Sequence, residues 1–254
     1  MNRRENRHKH DTLMEDRYSE EFTIPSHLVD GSKSLGAGNI LHLMQELSYH
    51  GADQLGCGEA DFESRGLAWI FARMHIVINR RPSLYERVTM QTWSKEIRGL
   101  FFNRDYRFLD AQGNTLIGAC SSCLTINLET RSMVRSDKVA ALLDNWVQNT
   151  EEGASPAGKI SPCPDYDPVP VLTHRVMYSD TDFIGHVNNS QYLRWAVDCE
   201  KSVDPGFDIH EVSINFIKET KLGQTIEYYR GTRDGWINYA AKVDGTIVML
   251  LEMK

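Results

Sequence analysis

The chain has 254 residues, 41% of them hydrophobic and 25% charged, with a formal net charge of −7. That make-up is ordinary for a soluble globular protein, and no apolar run approaches the roughly 18 residues that would predict a membrane helix. The acidic balance argues against non-specific binding to nucleic acid, whose phosphates draw positive surface.

Residues Met1 to Asp16 are charged and lack an apolar h-region, which predicts a disordered tail on a cytoplasmic chain without an export signal. The basic cluster Arg3, Arg4, Arg7 and Lys9 is short and interleaved with Glu5 and Asp11. A helix is predicted from Gly36 to Leu55, where Ile40, Leu43, Met44 and Leu47 follow the spacing of one buried stripe. Strands are predicted at Leu67 to Asn79, Val88 to Trp93, Phe101 to Asp110 and Thr115 to Leu128, with Ala111-Gln112-Gly113-Asn114 as a turn. Cys57, Cys120, Cys123, Cys163 and Cys199 are odd in number and scattered, as expected of reduced thiols. Cys120 and Cys123 sit three apart in a strand and so face opposite sides, which argues against a redox or metal pair.

Residues 145–169 are rich in Glu, Gly, Pro, Ser and Asp, the composition of a linker. A second helix starts near Asn188, with Tyr192, Leu193, Ala196 and Val197 at helical spacing. Strands follow at Val212 to Ile217, Thr225 to Gly231, Trp236 to Val243 and Thr246 to Leu251. Asp244-Gly245 predicts a two-residue hairpin, because a type I′ turn needs positive φ at both central positions. Both halves therefore read helix, then four strands. The pattern predicts two α+β modules, 17–144 and 170–254, each a long helix held against an antiparallel sheet. Arg80 with Arg81, Arg104 with Arg107, and Lys218 with Lys221 are local positive patches open to an acidic partner, or plain solvated faces.

Between Asp180 and Asn189 the chain gathers two carboxylates, an imidazole and two carboxamides in a Gly-containing turn that runs into the second helix. A helix start leaves about four N–H groups unpaired and carries about half a positive charge, so it suits an oxyanion. Overlaying the halves sets Gly36-Ala37-Gly38-Asn39 on His186-Val187-Asn188-Asn189, Ser32 on Asp182 and Arg81 on Glu219. The polar set survives only in the second half, which predicts one active site and leaves the first module free to serve as a binding wall. Plainer roles compete: Asp180 and Asp182 as turn caps, Asn188 and Asn189 as helix-entry residues, His186 as a structural histidine, and Glu219 as a solvated strand-end charge.

Tyr178-Ser179-Asp180-Thr181-Asp182, His186-Val187-Asn188-Asn189 and Tyr192 resemble the catalytic segment of the acyl-acyl carrier protein thioesterases. Ile214-Asn215-Phe216-Ile217-Lys218-Glu219 resembles the strand that carries that family's second carboxylate. In the first half, Gly66-Leu67-Ala68-Trp69-Ile70, Arg73-Met74-His75-Ile76-Val77-Ile78 and Leu128-Glu129-Thr130-Arg131 complete a likeness over roughly residues 18 to 251. The resemblance implies a double hot-dog fold, two modules each with a long central helix wrapped by a curved antiparallel sheet. It also implies hydrolysis of acyl-acyl carrier protein to free fatty acid, which ends chain elongation. Two positions depart from the plant-type pattern: Ile184 stands where an Asn is found, and Thr220 where the residue is often Cys. The Asp-Thr-Asp-x-x-Gly-His-Val-Asn-Asn pattern is also similar to single-domain acyl-CoA thioesterases of the same fold.

On this reading Asp182 or Glu219 is the base for a water, or Asp182 attacks directly, while His186 orients the water or the carboxylate. Backbone N–H groups near Val187, Asn188 and Asn189 are expected to receive the oxyanion. Trp69, Phe71, Met74 and Ile76 are candidates for the acyl groove, although for any one of them a core position is the simpler expectation. No zinc spacing, nucleophile elbow or phosphate loop appears, so neither metal nor cofactor is expected. The expected partner is an acyl carrier protein bearing a fatty acyl chain, with no membrane insertion, and a homodimer stays open. The alternatives are an acyl-CoA thioesterase and a non-catalytic acyl-binding regulatory module.

Overall fold

The computed structural model describes residues 16–143 and 148–254. The charged tail up to residue 15 and residues 144–147, which include the start of the expected linker, lie outside the described residues. The first half runs β1 (Tyr18–Thr23), a 3₁₀ turn (Ser26–Leu28), α1 (Ala37–Gln54), α2 (Glu59–Ser64), β2 (Leu67–Ile78), β3 (Arg87–Arg98), β4 (Phe101–Leu109), β5 (Thr115–Asn127), β6 (Met133–Val134) and α3 (Ser136–Ala140). The second runs β7 (Leu172–Arg175), a 3₁₀ turn (Tyr178–Asp180), α4 (Asn189–Val203), β8 (Glu211–Phe216), β9 (Thr225–Arg233), β10 (Trp236–Val243) and β11 (Thr246–Met253). Among the described residues no helix is long and apolar enough to cross a membrane.

The eleven strands form one sheet in the order β1-β3-β4-β5-β2-β8-β11-β10-β9-β7, with β6 beside β5. The halves join at the antiparallel pair β2–β8, where His75 faces Ser213 and the flanking pairs Arg73–Asn215 and Val77–Glu211 fall symmetrically about it. A pseudo-twofold axis therefore passes through that pair. One hydrophobic cluster serves both halves, drawing Ile40, Leu41 and Met44 from α1, Leu193 and Ala196 from α4, and Met74, Ile214 and Leu251 from the sheet. The helices also touch: a Cβ on Gly38 would lie 2.9 Å from the Cβ of Arg194 and 3.0 Å from the Ser190 carbonyl oxygen. Glycine is what lets α1 cross α4 at that distance.

Several expectations need correction. β1 and β7 are the two sheet edges, and their short polar sequences gave no strand pattern. β3 runs to Arg98 rather than Trp93, because a bulge between Ser94 and Ile97 restores the pairing that the polar residues Ser94 and Lys95 disguise. Those polar residues are buried because the linker does not hang free. Residues 148–169 cross the outer face of the sheet, bonded by Asn149 N to Ser94 O (2.9 Å), Gly153 N to Asp105 Oδ2 (2.7 Å) and Ile160 N to Asn215 Oδ1 (2.9 Å). A Cβ at Gly153 would lie 2.5 Å from the Tyr106 carbonyl oxygen, so only glycine lets the strap lie this close. Arg80 pairs with Glu86, Arg81 with Asp30 and Asp208, and Arg107 with Glu151, while Arg104 is buried. Of the patches expected to meet an acidic partner, Lys218 and Lys221 stay exposed, as does Arg80, which is already paired with Glu86.

Candidate functional site

The loop from Asp180 to Asn188 is fixed by its own side chains. Asp182 Oδ1 accepts from the amides of Ile184 (3.1 Å) and His186 (3.2 Å), and the Asp182 amide donates to the His186 carbonyl at 2.8 Å. Gly185, at φ +81°, lets the chain reverse inside that ladder. Asp180 is a structural residue: its Oδ2 accepts from the Met177 amide at 2.8 Å and lies 2.7 Å from His174 Nε2. Asn188 caps α4, its Oδ1 accepting from the Ser190 amide (2.9 Å) and hydroxyl (2.6 Å).

The segment after β8 then brings in the second carboxylate. The Val187 amide donates to the Thr220 carbonyl at 2.8 Å, and His186 bridges Lys221 in the same antiparallel step. This sets His186 Nε2 3.1 Å from Glu219 Oε2. The other oxygen, Glu219 Oε1, accepts from Arg131 at 2.6 Å. His186 and Glu219 are thus in contact, while Asp182 reaches His186 through the backbone amide. The Asp182 charge also acts on phenols from both halves. Burial pushes Tyr49 up to about 12, with Glu59 and Asp182 adding to it, and burial likewise pushes Tyr192 up to about 12. Tyr49 packs beside Phe183, ring centroids 6.1 Å apart, so α1 of the first half forms one wall of the second-half loop.

Two of the three expected oxyanion donors are already committed. The Val187 amide bonds Thr220, and the Asn188 amide bonds the Asp180 carbonyl at 2.9 Å. Asn189, the first residue of α4, is the remaining position of the three. Ile184 is exposed and makes its polar contact through its backbone. Thr220 is 1% exposed, and its hydroxyl faces the Tyr192 phenol without a well-formed hydrogen bond.

A bulge between Phe71 and Arg73 puts Trp69, Phe71, Met74 and Ile76 on one face of β2. They do not share one environment. Met74 and Ile76 are sealed in the shared core, Phe71 packs at its edge, and Trp69 stacks on Phe62 (4.4 Å) and donates to the Cys57 carbonyl at 2.9 Å.

The first half repeats the same loop with different chemistry. Asp30 N donates to Ser34 O (2.9 Å), Leu35 N to Pro82 O (2.7 Å) and Gly36 N to Leu28 O (3.0 Å), matching bond for bond the second-half set. The equivalent pairs are therefore Asp30 and Asp182, Ser34 and His186, Gly36 and Asn188, and Arg81 and Glu219. The sequence overlay of Gly36 on His186 and Ser32 on Asp182 slips by two residues, because the shared Asn39/Asn189 and Leu43/Leu193 identities outweighed the backbone ladder. Arg81 locks onto Asp30 and Ser32 where Glu219 turns to an imidazole. Burial works against the charge of Asp30, but Ser32 and Arg81 outweigh it and hold the carboxyl below its usual range.

Sequence reasoning missed Arg131, Tyr49 and Glu59 as neighbours of the site, because all three come from the first half and no local spacing signals them.

The acyl-ACP thioesterase N-terminal domain model matches residues 15–142, and the C-terminal domain model matches residues 169–248. An oleoyl-acyl carrier protein thioesterase from Arabidopsis thaliana is 28% identical over 80% of this chain, and a dodecanoyl-[acyl-carrier-protein] hydrolase from Cinnamomum camphora is 26% identical over 88%. The chain spans 59% of the length of each of these relatives. An acyl-ACP thioesterase structure from Bacteroides thetaiotaomicron superposes with a TM-score of 0.82 at 21% identity, covering 94% of this chain and 97% of that one. The 12:0-ACP thioesterase from Umbellularia californica superposes with a TM-score of 0.81 at 17% identity, covering 94% of this chain and 96% of that one. These superpositions give the α+β double hot-dog fold. With both of its domain models matched in order over most of its length, the chain belongs to the acyl-ACP thioesterase family.

Proposed function

We propose that this chain hydrolyses the thioester of acyl-acyl carrier protein and releases a free fatty acid. The observation that carries the reading is the His186–Glu219 contact beside the Asp182 loop, present in the second half and replaced by an Asp30–Arg81 lock in the first.

Hydrolysis needs a water activated next to the carbonyl, donors for the oxyanion and a proton for the leaving thiolate. Glu219 accepting from His186 Nε2–H leaves Nδ1 as the ring acceptor, so the imidazole can take a proton from water and return it to sulfur. Asp182 fixes the loop through two amides, one of them that of His186. The amide of Asn189, at the positive end of α4, is the donor we assign to the oxyanion. Residues 17–144 act as the acyl-binding module and 170–254 as the catalytic one, with 145–169 as the linker. The tail enters past Tyr49 toward Phe71 and Trp69, with Met74 and Ile76 as the packing behind them. The exposed Lys218 and Lys221 beside the site suit an acidic carrier protein. Five free cysteines support a reducing cytoplasm as the setting. The pairing of two modules inside one chain supplies what single modules gain by dimerising, so a homodimer is not required.

The test is hydrolysis of acyl-carrier thioesters of graded chain length, run beside the matching acyl-CoA esters at equal concentration. Preferred turnover of the carrier esters supports the reading. Preference for CoA would reassign the substrate, and saturable acyl binding without fatty acid release would make the protein a binding module.

A further inference from the structure

Glu219 is held from two sides, by His186 within its own half and by Arg131 across the junction. Arg131 lies in the turn between β5 and β6, and that turn is built to aim it. Asn127 Oδ1 accepts from the amides of Glu129 (3.0 Å) and Thr130 (2.8 Å), and the Arg131 amide donates to the Asn127 carbonyl at 2.9 Å. Leu128 N ties the end of β5 to the Gly66 carbonyl at 2.8 Å. Arg131 itself sits at φ +55°, a left-handed conformation that a side-chain-bearing residue adopts only when its surroundings impose it.

The pseudo-symmetric position also carries an ion pair to the other half, drawn from a different segment, the connection between α4 and β8. Arg81, the counterpart of Glu219, pairs across the same junction with Asp208 of the second half at 3.0 Å. An ion pair therefore crosses between halves at both positions, with the signs exchanged.

We propose that Arg131 is a positioning residue for the second-half site. It fixes the Glu219 carboxylate so that the remaining oxygen receives the His186 Nε2–H, which keeps Nδ1 turned toward substrate. This makes the first module part of the catalytic apparatus as well as an acyl wall, and it rests on the thioesterase reading above. The charged groups facing Glu219 are His186 from the loop before α4 and Arg131 from the β5–β6 turn, with Lys218 and Lys221 in its own segment. Arg131 is half exposed, and an ion pair of that kind contributes little to folding. Its loss is therefore read in turnover.

The experiment compares Arg131→Ala, Arg131→Lys and Glu219→Gln with the wild type in the full chain, measuring kcat, KM and the thermal midpoint on acyl-acyl carrier protein. Arg131→Ala is expected to lose kcat by about 10- to 100-fold, the scale of a misplaced reacting group, with KM changed less than about twofold. Arg131→Lys, or guanidinium ion added to Arg131→Ala, recovers part of the loss. An Arg131→Ala variant with wild-type kcat overturns the proposal, as does one altered only in KM, which would mark a carrier contact instead. If Glu219→Gln keeps full turnover, the thioesterase reading of the site fails. If Glu219→Gln is inactive and Arg131→Ala is not, only the role of Arg131 fails.

Discussion

Arg81 and Glu219 occupy the same place in the two halves, each one residue before the carbonyl that receives the helix-approach loop: Pro82 takes the Leu35 amide and Thr220 the Val187 amide. The opposite charges divide the labour. A carboxylate against an imidazole can manage protons, whereas a guanidinium stays charged and serves as a clamp. Arg81→Glu would face Asp30 and Asp208 with a third carboxylate at a buried position, a mismatch softened by solvent because both partners are more than a third exposed. It is expected to lower the thermal midpoint without adding turnover, since Ser34 stands where a second imidazole would be needed. Denaturant unfolding and kcat per folded protein check the two halves of that statement.

Substitution can separate the two roles proposed for Asp182. Asp182→Asn keeps an oxygen for the Ile184 and His186 amides and loses the charge, so activity should fall with stability nearly intact. Asp182→Ala loses the cap as well, at a further cost of about 1 kcal/mol. Steady-state rates and urea midpoints for the pair would show activity falling in both and stability in only the second.

Thr220 carries no chemistry in this account. Its hydroxyl is buried against Tyr192 without a good partner, and an unsatisfied buried hydroxyl is a cost rather than a gain. Thr220→Val should leave kcat within about threefold and be neutral or slightly stabilising. A loss approaching the 10²-fold typical of general-base removal would put the hydroxyl in the mechanism.

Asp30, Glu86 and Glu211 are among the carboxylates that tie stability to pH. Asp30 is held low by Ser32 and Arg81 against its burial, Glu86 chiefly by Arg80, and Glu211 chiefly by Lys254. Each titrates lower in the folded than in the unfolded chain. Their contribution is complete above the ordinary carboxylate range near pH 4 and disappears as pH falls through the folded values. The thermal midpoint should therefore drop below about pH 4, and Asp30→Asn and Glu86→Gln should each flatten that drop. A slope unchanged in both variants would remove these groups from the acid response.

Much of the fold was legible because it is local. β10 spans the predicted Trp236 to Val243, and the Asp244-Gly245 turn has φ +48° and +72°, as a type I′ hairpin requires. The edge strands β1 and β7 were not legible, since their pairing with β3 and β9 is set by remote strands rather than by their own alternation. In the site, Asp182, His186 and Glu219 could be named from residue type and resemblance. The commitment of the Val187 and Asn188 amides could not, because it depends on which carbonyls the fold brings opposite them. Arg131 was hidden for the same reason: 88 residues of chain separate it from Glu219.

If the His186–Glu219 pair in the second half drives thioester cleavage, removing the Glu219 charge must cost most of it. The most direct measurement is release of free fatty acid from purified acyl-acyl carrier protein by the wild-type chain beside Glu219→Gln. Sustained release is expected from the wild type and a fall of about 10²- to 10⁴-fold in the variant, at an unchanged thermal midpoint. Equal release by both proteins, or binding of the substrate by the wild type with no release, would contradict it.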